Sequence, residues 1–248
     1  MKVLPILFTH KDVMKLYPNV NSFYSFLARS LKVGTIKQIK KGLYALVDPS
    51  TGTIYATKFQ IACKLFDDAY FSYHDALEYY GLATQCFVSS FTYLTHVVVA
   101  PIEFEEITYY SKKSTCNLEI NDFMKQNGTR LVSLERAIID SIDNIHEAGG
   151  YDEITQALEI CPNLNVNTVV KLLDFYDKKF LYQKVGYLFE KYFGDEFPPS
   201  FYEYCESKIS KAKKYLDSFR GNTVLNKKWN LLIDKREKML EELPDEIF

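Results

Sequence analysis

FTHKDVMKLYPNVNSFYSFLARSLKVGTIKQIKKGLYALVD, residues 8–48, is the stretch from which the start of the fold can be read. Thr9 is placed to cap a helix, Asp12 stands at the third helical position of a capping box, and Phe8 and Val13 occupy the staple positions around it. Pro18 stops that helix near Tyr17, because its ring disfavours helical backbone in the residue before it. Asn21 is a good cap for a second helix, Asn21–Val33, which Gly34 ends. GTIKQIKKGLYALVD then reads as a hairpin. Ile36 and Ile39 form one strand, Lys40-Lys41-Gly42 the turn, and Leu43, Tyr44, Leu46 and Val47 the other, with Gly42 free to take the positive φ that such a turn needs.

Helix, turn, helix and hairpin in this order predict a winged helix-turn-helix spanning residues 1–58. Phe23, Phe26, Leu27 and Leu31 form the stripe expected to face its core. Ser22, Ser25, Arg29 and Lys32 fall within about 80° of arc on the other side, and Asn21 flanks them. Short hydroxyl and amide side chains let a helix backbone approach base edges, while cations meet phosphates. The expected DNA-binding set is therefore Asn21, Ser22, Ser25, Arg29 and Lys32 on the helix, with Lys37, Lys40 and Lys41 on the hairpin.

Charge segregates along the chain in the same sense. Residues 1–58 hold nine Lys and Arg but only two acids, Asp12 and Asp48, a formal charge of +7; the remaining 21 bases and 30 acids leave −9 for the rest. A basic head on an acidic body points to a polyanion as the partner of the head.

The chain has 248 residues, 47% hydrophobic and 25% charged, which excludes collagen-like and wholly disordered classes. The longest apolar run near the middle, Val97–Ile102, is far below the roughly 20 residues of a membrane span, and the opening VLPILF is too short for a signal-peptide core. A cytoplasmic protein with no membrane partner is expected. Cys63, Cys86, Cys116, Cys161 and Cys205 have none of the close spacing of a zinc site and read as buried, reduced thiols.

Residues 59–248 read as an α+β domain, a β-sheet followed by several C-terminal helices. An amphipathic helix over Tyr55–Phe66 leads in, and Ser72 and Asp75 open a short helix ending at Gly81. Strands are expected at Cys86–Tyr93, His96–Phe104, Glu106–Ser111 and Cys116–Phe123. Helices are expected from Ser133, near Asp152–Ile160 and Asn167–Tyr176, around Val185–Tyr192, over Tyr202–Phe219, and through Trp229, Leu232, Ile233 and Leu240. Within the fifth of these helical stretches Lys208, Lys211, Lys213 and Lys214 read as a solvated face. No G-x-S-x-G elbow, P-loop or H-E-x-x-H occurs. His74 reads as a surface or capping residue, Glu103, Glu105 and Glu106 as a solvated strand edge, and Arg136 as the salt-bridge partner of Asp140 one turn on. No catalytic residue, cofactor or metal is expected.

KKGLYAL, YFSYHDALEYYGL, RLVSLERAIIDSI and VGYLFEKYF, in that order, resemble motifs of the AbiEi antitoxin family, the antitoxins and transcriptional repressors of abortive-infection type IV toxin–antitoxin systems. The likeness covers roughly residues 5–195. It implies a winged helix that binds inverted repeats in the operon's own promoter, and a body that neutralises a partner toxin of the nucleotidyltransferase fold. Family members usually carry a full helix ahead of the helix pair; here only Met1–Leu7 precede it, with Pro5 among them, and these suit a strand or arm. A shortened head that no longer binds DNA, on an antitoxin that acts by protein contact, is the alternative expectation.

Overall fold

The fold is α+β, and the computed structural model describes residues 4–88, 90–123, 126–217 and 221–236. The chain divides into two units, residues 1–71 with 87–132, and residues 72–86 with 133–248. The basic head of residues 1–58 belongs to the first unit, together with a sheet.

The head begins with β1 (Leu7–Thr9) and the short helix α1 (His10–Val13), whose start is fixed by the Asp12 carboxylate accepting from the Thr9 amide at 2.8 Å. After a single 3-10 turn at Met14–Leu16 comes α2 (Val20–Val33). The cap of α2 is Asn19 rather than the expected Asn21: its Oδ1 accepts from Ser22 N at 2.9 Å. Asn19 follows Pro18 in extended backbone, so the cap moves two residues back and Asn21 lies in the first turn. Gly34 closes α2 in the left-handed conformation, φ 80°. β2 (Ile36–Lys40) and β3 (Leu43–Leu46) form the expected antiparallel hairpin, with Gly42 at φ 86°. β3 also pairs with β1, Leu7 opposite Ala45, giving the order β1-β3-β2.

Phe8, Val13, Phe23, Leu27, Ile36 and Tyr44 fill the core of the head, with Leu4, Tyr17, Phe26 and Leu46 against it. Leu31, expected in this stripe, is exposed, and Ser30 faces inward instead, its carbonyl accepting from Thr35 N at 3.0 Å. Seven residues beyond Phe23 a helix returns to within about 20° of the same direction, but eight residues beyond it is about 80° off. Geometry at that position overrides hydrophobicity.

Helix α3 (Lys58–Leu65), opened by a Thr57–Gln60 capping box, leads to a six-stranded mixed sheet. Its strands are β4 (Tyr70–Phe71), β5 (Ser90–Thr95), β6 (Ile102–Phe104), β7 (Ile107–Lys113), β8 (Ile120–Asp122) and β9 (Arg130–Val132), in the order β6-β7-β5-β4-β9-β8. Cys86 lies outside β5 and is exposed, and Cys161 is only half-buried, unlike the buried thiols expected; Cys63, Cys116 and Cys205 are buried.

The second unit holds α4 (Tyr73–Tyr79), α5 (Leu134–Asp143), α6 (Tyr151–Glu159), α7 (Val166–Tyr176), α8 (Lys179–Tyr192) and α9 (Pro199–Lys208). The two final helices expected from the sequence are corrected. Helix α9 ends at Lys208, and the chain then forms β10 (Lys214–Tyr215), β11 (Thr223–Asn226) and β12 (Leu231–Asp234), ordered β10-β12-β11. Of Lys208, Lys211, Lys213 and Lys214 only Lys208 is helical, while Phe219 and Leu240 fall outside the described residues. The cause is a long-range contact: Trp229 is fully buried and its ring covers Gly186 of α8 so closely that a Cβ there would stand 2.1 Å from Cζ3. Trp229 Nε1 donates to Glu190 Oε2 at 2.8 Å, and Gln183 Nε2 donates to the Trp229 carbonyl at 2.9 Å. The Arg136–Asp140 pair forms as expected, 3.2 Å apart and buried. Burial pushes the Asp140 carboxyl upward, and the Arg136 charge with hydrogen bonds from Tyr176 and Ser72 opposes this.

Candidate nucleic-acid interface

Helix α2 turns Phe23, Leu27 and Ser30 into the head, which leaves Asn21, Ser25, Arg29 and Lys32 exposed on the opposite side. Ser22 is half-buried at the cap. Arg29 Nε donates to the Ser25 carbonyl at 3.2 Å, which fixes its stem along the helix while the residue stays exposed. Lys41, at the tip of the β2–β3 turn, is exposed as well.

The other two hairpin cations are held within the first unit. Lys37 Nζ pairs with Glu105 Oε1 at 2.5 Å. Lys40 folds inward, with its ammonium 4.1 Å above the Phe66 ring and donating to the Leu65 carbonyl. Burial moves the Lys40 amine below the usual lysine range, opposed by the charge of Asp67. Of the five cations assigned to phosphates from sequence, Lys40 is turned inward, Lys37 is half-exposed but committed to Glu105, and Arg29, Lys32 and Lys41 are exposed. These two commitments depend on Glu105 and Phe66, far along the chain, and no local pattern signals them.

A cleft of about 600 Å³ in the same unit is lined by Lys11, Lys64 and Arg130 but also by Asp12, Asp67 and Asp122. Lys64 is already paired with Asp12 at 3.3 Å. Its charges cancel, so it offers a polyanion nothing that α2 does not.

In the second unit His74 is buried, not at the surface, with Nε2 3.3 Å from Glu153 Oε1. Glu153 in turn accepts from Thr84 N at 2.8 Å and Thr84 Oγ1 at 2.6 Å. His74, Asp75 and Glu78 each bring a ligand atom within 4.8 Å of the others, the one such group among the described residues that could hold a divalent cation. The H-D-x-x-E spacing on α4 is the sequence signal for it, and it is unremarkable without burial.

No family model matches the sequence, and no curated protein matches it. Among solved structures the chain is similar to the RV2827C protein from Mycobacterium tuberculosis, with a TM-score of 0.66 over 96% of this chain and 89% of that one at 10% identity. At that identity the likeness is one of fold. Among the described residues no helix is long and apolar enough to cross a membrane.

Proposed function

We propose that the head is a winged helix and that the protein is the antitoxin of a type IV toxin–antitoxin system, one that represses its own operon. The observation that carries the DNA-binding part is the exposed polar face of α2, with Asn21, Ser25, Arg29 and Lys32 side by side, and Lys41 on the hairpin. Arg29, Lys32 and Lys41 meet phosphates, and Asn21 and Ser25 reach base edges in the major groove. The arrangement of β1 and the hairpin around β3 supports a wing beside the helix. Inverted repeats in the promoter, and neutralisation of a nucleotidyltransferase-type toxin directly or functionally, follow from the resemblance of the four ordered motifs. No catalytic step and no cofactor belong to this reading.

A gel shift of the full chain on DNA upstream of its own gene, across a salt series, tests it. Three phosphate contacts give a slope of log K against log salt of about −2.7, where five give about −4.5. A flat response rejects DNA binding. The pairing of Lys37 with Glu105 and the inward fold of Lys40 favour a second reading, an antitoxin whose head does not bind DNA. That reading requires protein that rescues cells from the partner toxin yet shows no salt-dependent binding to the promoter.

A further inference from the structure

Beside its polar face α2 carries a second exposed strip, and this one is apolar. Val20 is 48% exposed, Tyr24 52% and Leu31 38%, and Ala28 is exposed between them. At 100° per residue, with Val20 as zero, Leu31, Tyr24 and Ala28 lie at about 20°, 40° and 80°. Asn21, Lys32, Ser25 and Arg29 continue the same surface at about 100°, 120°, 140° and 180°. The outward half of the helix is thus divided lengthwise, apolar on one side and polar on the other. Tyr24 is braced rather than loose: its ring stands edge-on to His10 at 5.4 Å and tilted against Phe23 at 5.7 Å. A braced aromatic loses little freedom on binding, and the small Ala28 and Ser25 at the centre let a helix backbone come close.

We infer that this strip reads thymine: Tyr24, Ala28 and Leu31 pack on the C5-methyl groups of thymines in the major groove, alongside the base edges met by Asn21 and Ser25. The inference rests on the DNA-binding reading above and deepens it. Thymine's methyl is the apolar group that base pairs display in the major groove, so an apolar strip continuous with a cationic face is complementary to T-rich sequence. The charge beside the strip selects this occupant over another protein's apolar surface, because Arg29 and Lys32 stand exposed on the same helix and α2 carries no acid.

The probe is a duplex from the upstream region of the gene, made once with thymine and once with deoxyuridine throughout, titrated with the full chain at several salt concentrations. Deoxyuridine removes the methyl and keeps the Watson–Crick edge. The expected result is binding about 4-fold weaker for each methyl contacted, the loss of one buried methylene-sized group. In Tyr24→Ala and, independently, Leu31→Ala, the difference between the two duplexes shrinks while salt-dependent binding persists. Equal affinity of the unmodified protein for both duplexes overturns the inference and leaves the DNA reading standing. Absence of salt-dependent binding to either duplex overturns both. A dimer that Tyr24→Ala converts to monomer in sedimentation, with no thymine preference, assigns the strip to a second copy of the chain and overturns the inference as well.

Discussion

Helices α2 and α8 are equally long, Val20–Val33 and Lys179–Tyr192, but α2 buries only Phe23, Leu27 and Ser30 while α8 buries every residue from Leu181 to Phe189. The sequences already differ in kind. In α2 the apolar and polar residues separate by angle, whereas in α8 even Gln183 and Lys184 are enclosed, and each donates its side-chain nitrogen to a backbone carbonyl: Gln183 to Trp229, Lys184 to Ile142 at 2.9 Å. A helix enclosed on all sides is scaffold, and substitution there is felt as stability. A helix with one side committed to its core leaves the other exposed, and substitution there is expected to cost little stability. On the proposed reading, the functional weight of the molecule falls on the first unit.

The contrast is sharpest where α8 is packed most tightly. Trp229→Ala, which empties the space over Gly186, is expected to cost about 3–5 kcal/mol in thermal or urea unfolding. Gly186→Ala forces a methyl against the same ring and is expected to cost about 1–3 kcal/mol or more. A near-neutral result for both would mean that the C-terminal strands are not seated on α8. Arg136→Met leaves Asp140 buried without its cation and is expected to cost about 3–5 kcal/mol, read in the same experiment. On α2 the same measurement should register Asn21→Ala and Ser25→Ala within about 0.5 kcal/mol. Asn19→Ala should cost about 1 kcal/mol, because it removes the acceptor for Ser22 N.

A smaller effect separates the thiols. Burial pushes Cys63 up to about 11 and Cys161 and Cys205 up to about 12, whereas Cys86 is exposed. An Ellman assay near pH 8 should find Cys86 reacting first, the half-buried Cys161 more slowly, and the buried Cys63, Cys116 and Cys205 only on unfolding. Folded pKa values above the unfolded ones mean that these thiols stabilise fully below about pH 9. That contribution is lost as pH rises through 11 and 12. Melting temperatures followed from pH 8 upward should therefore fall less steeply in Cys63→Ala than in the parent, measured relative to each protein's own value at pH 8.

The head was largely legible because its signals are local. A proline, a capping box, a glycine after a helix and a glycine in a two-strand turn each act within a few residues, and all lie where the spacing puts them. Leu31 misled because a hydrophobic residue one position past the buried arc still looks periodic. The C-terminal strands were illegible for a different reason. Trp229, Leu232 and Ile233 are spaced as a helix would space them, and only the contact of Trp229 with Gly186 decides otherwise. Likewise, whether a lysine such as Lys40 meets solvent or the Phe66 ring is settled by tertiary structure, not by the residues beside it.

Selection of preferred duplexes from a random pool, by the unmodified protein and by Asn21→Ala and Ser25→Ala, tests most directly whether α2 is the reading element. The expected outcome is a defined, inverted-repeat preference for the unmodified chain that shifts at specific base positions in each variant, with overall affinity changed less than preference. The same sequences recovered from all three proteins, or no preference from any, would contradict it.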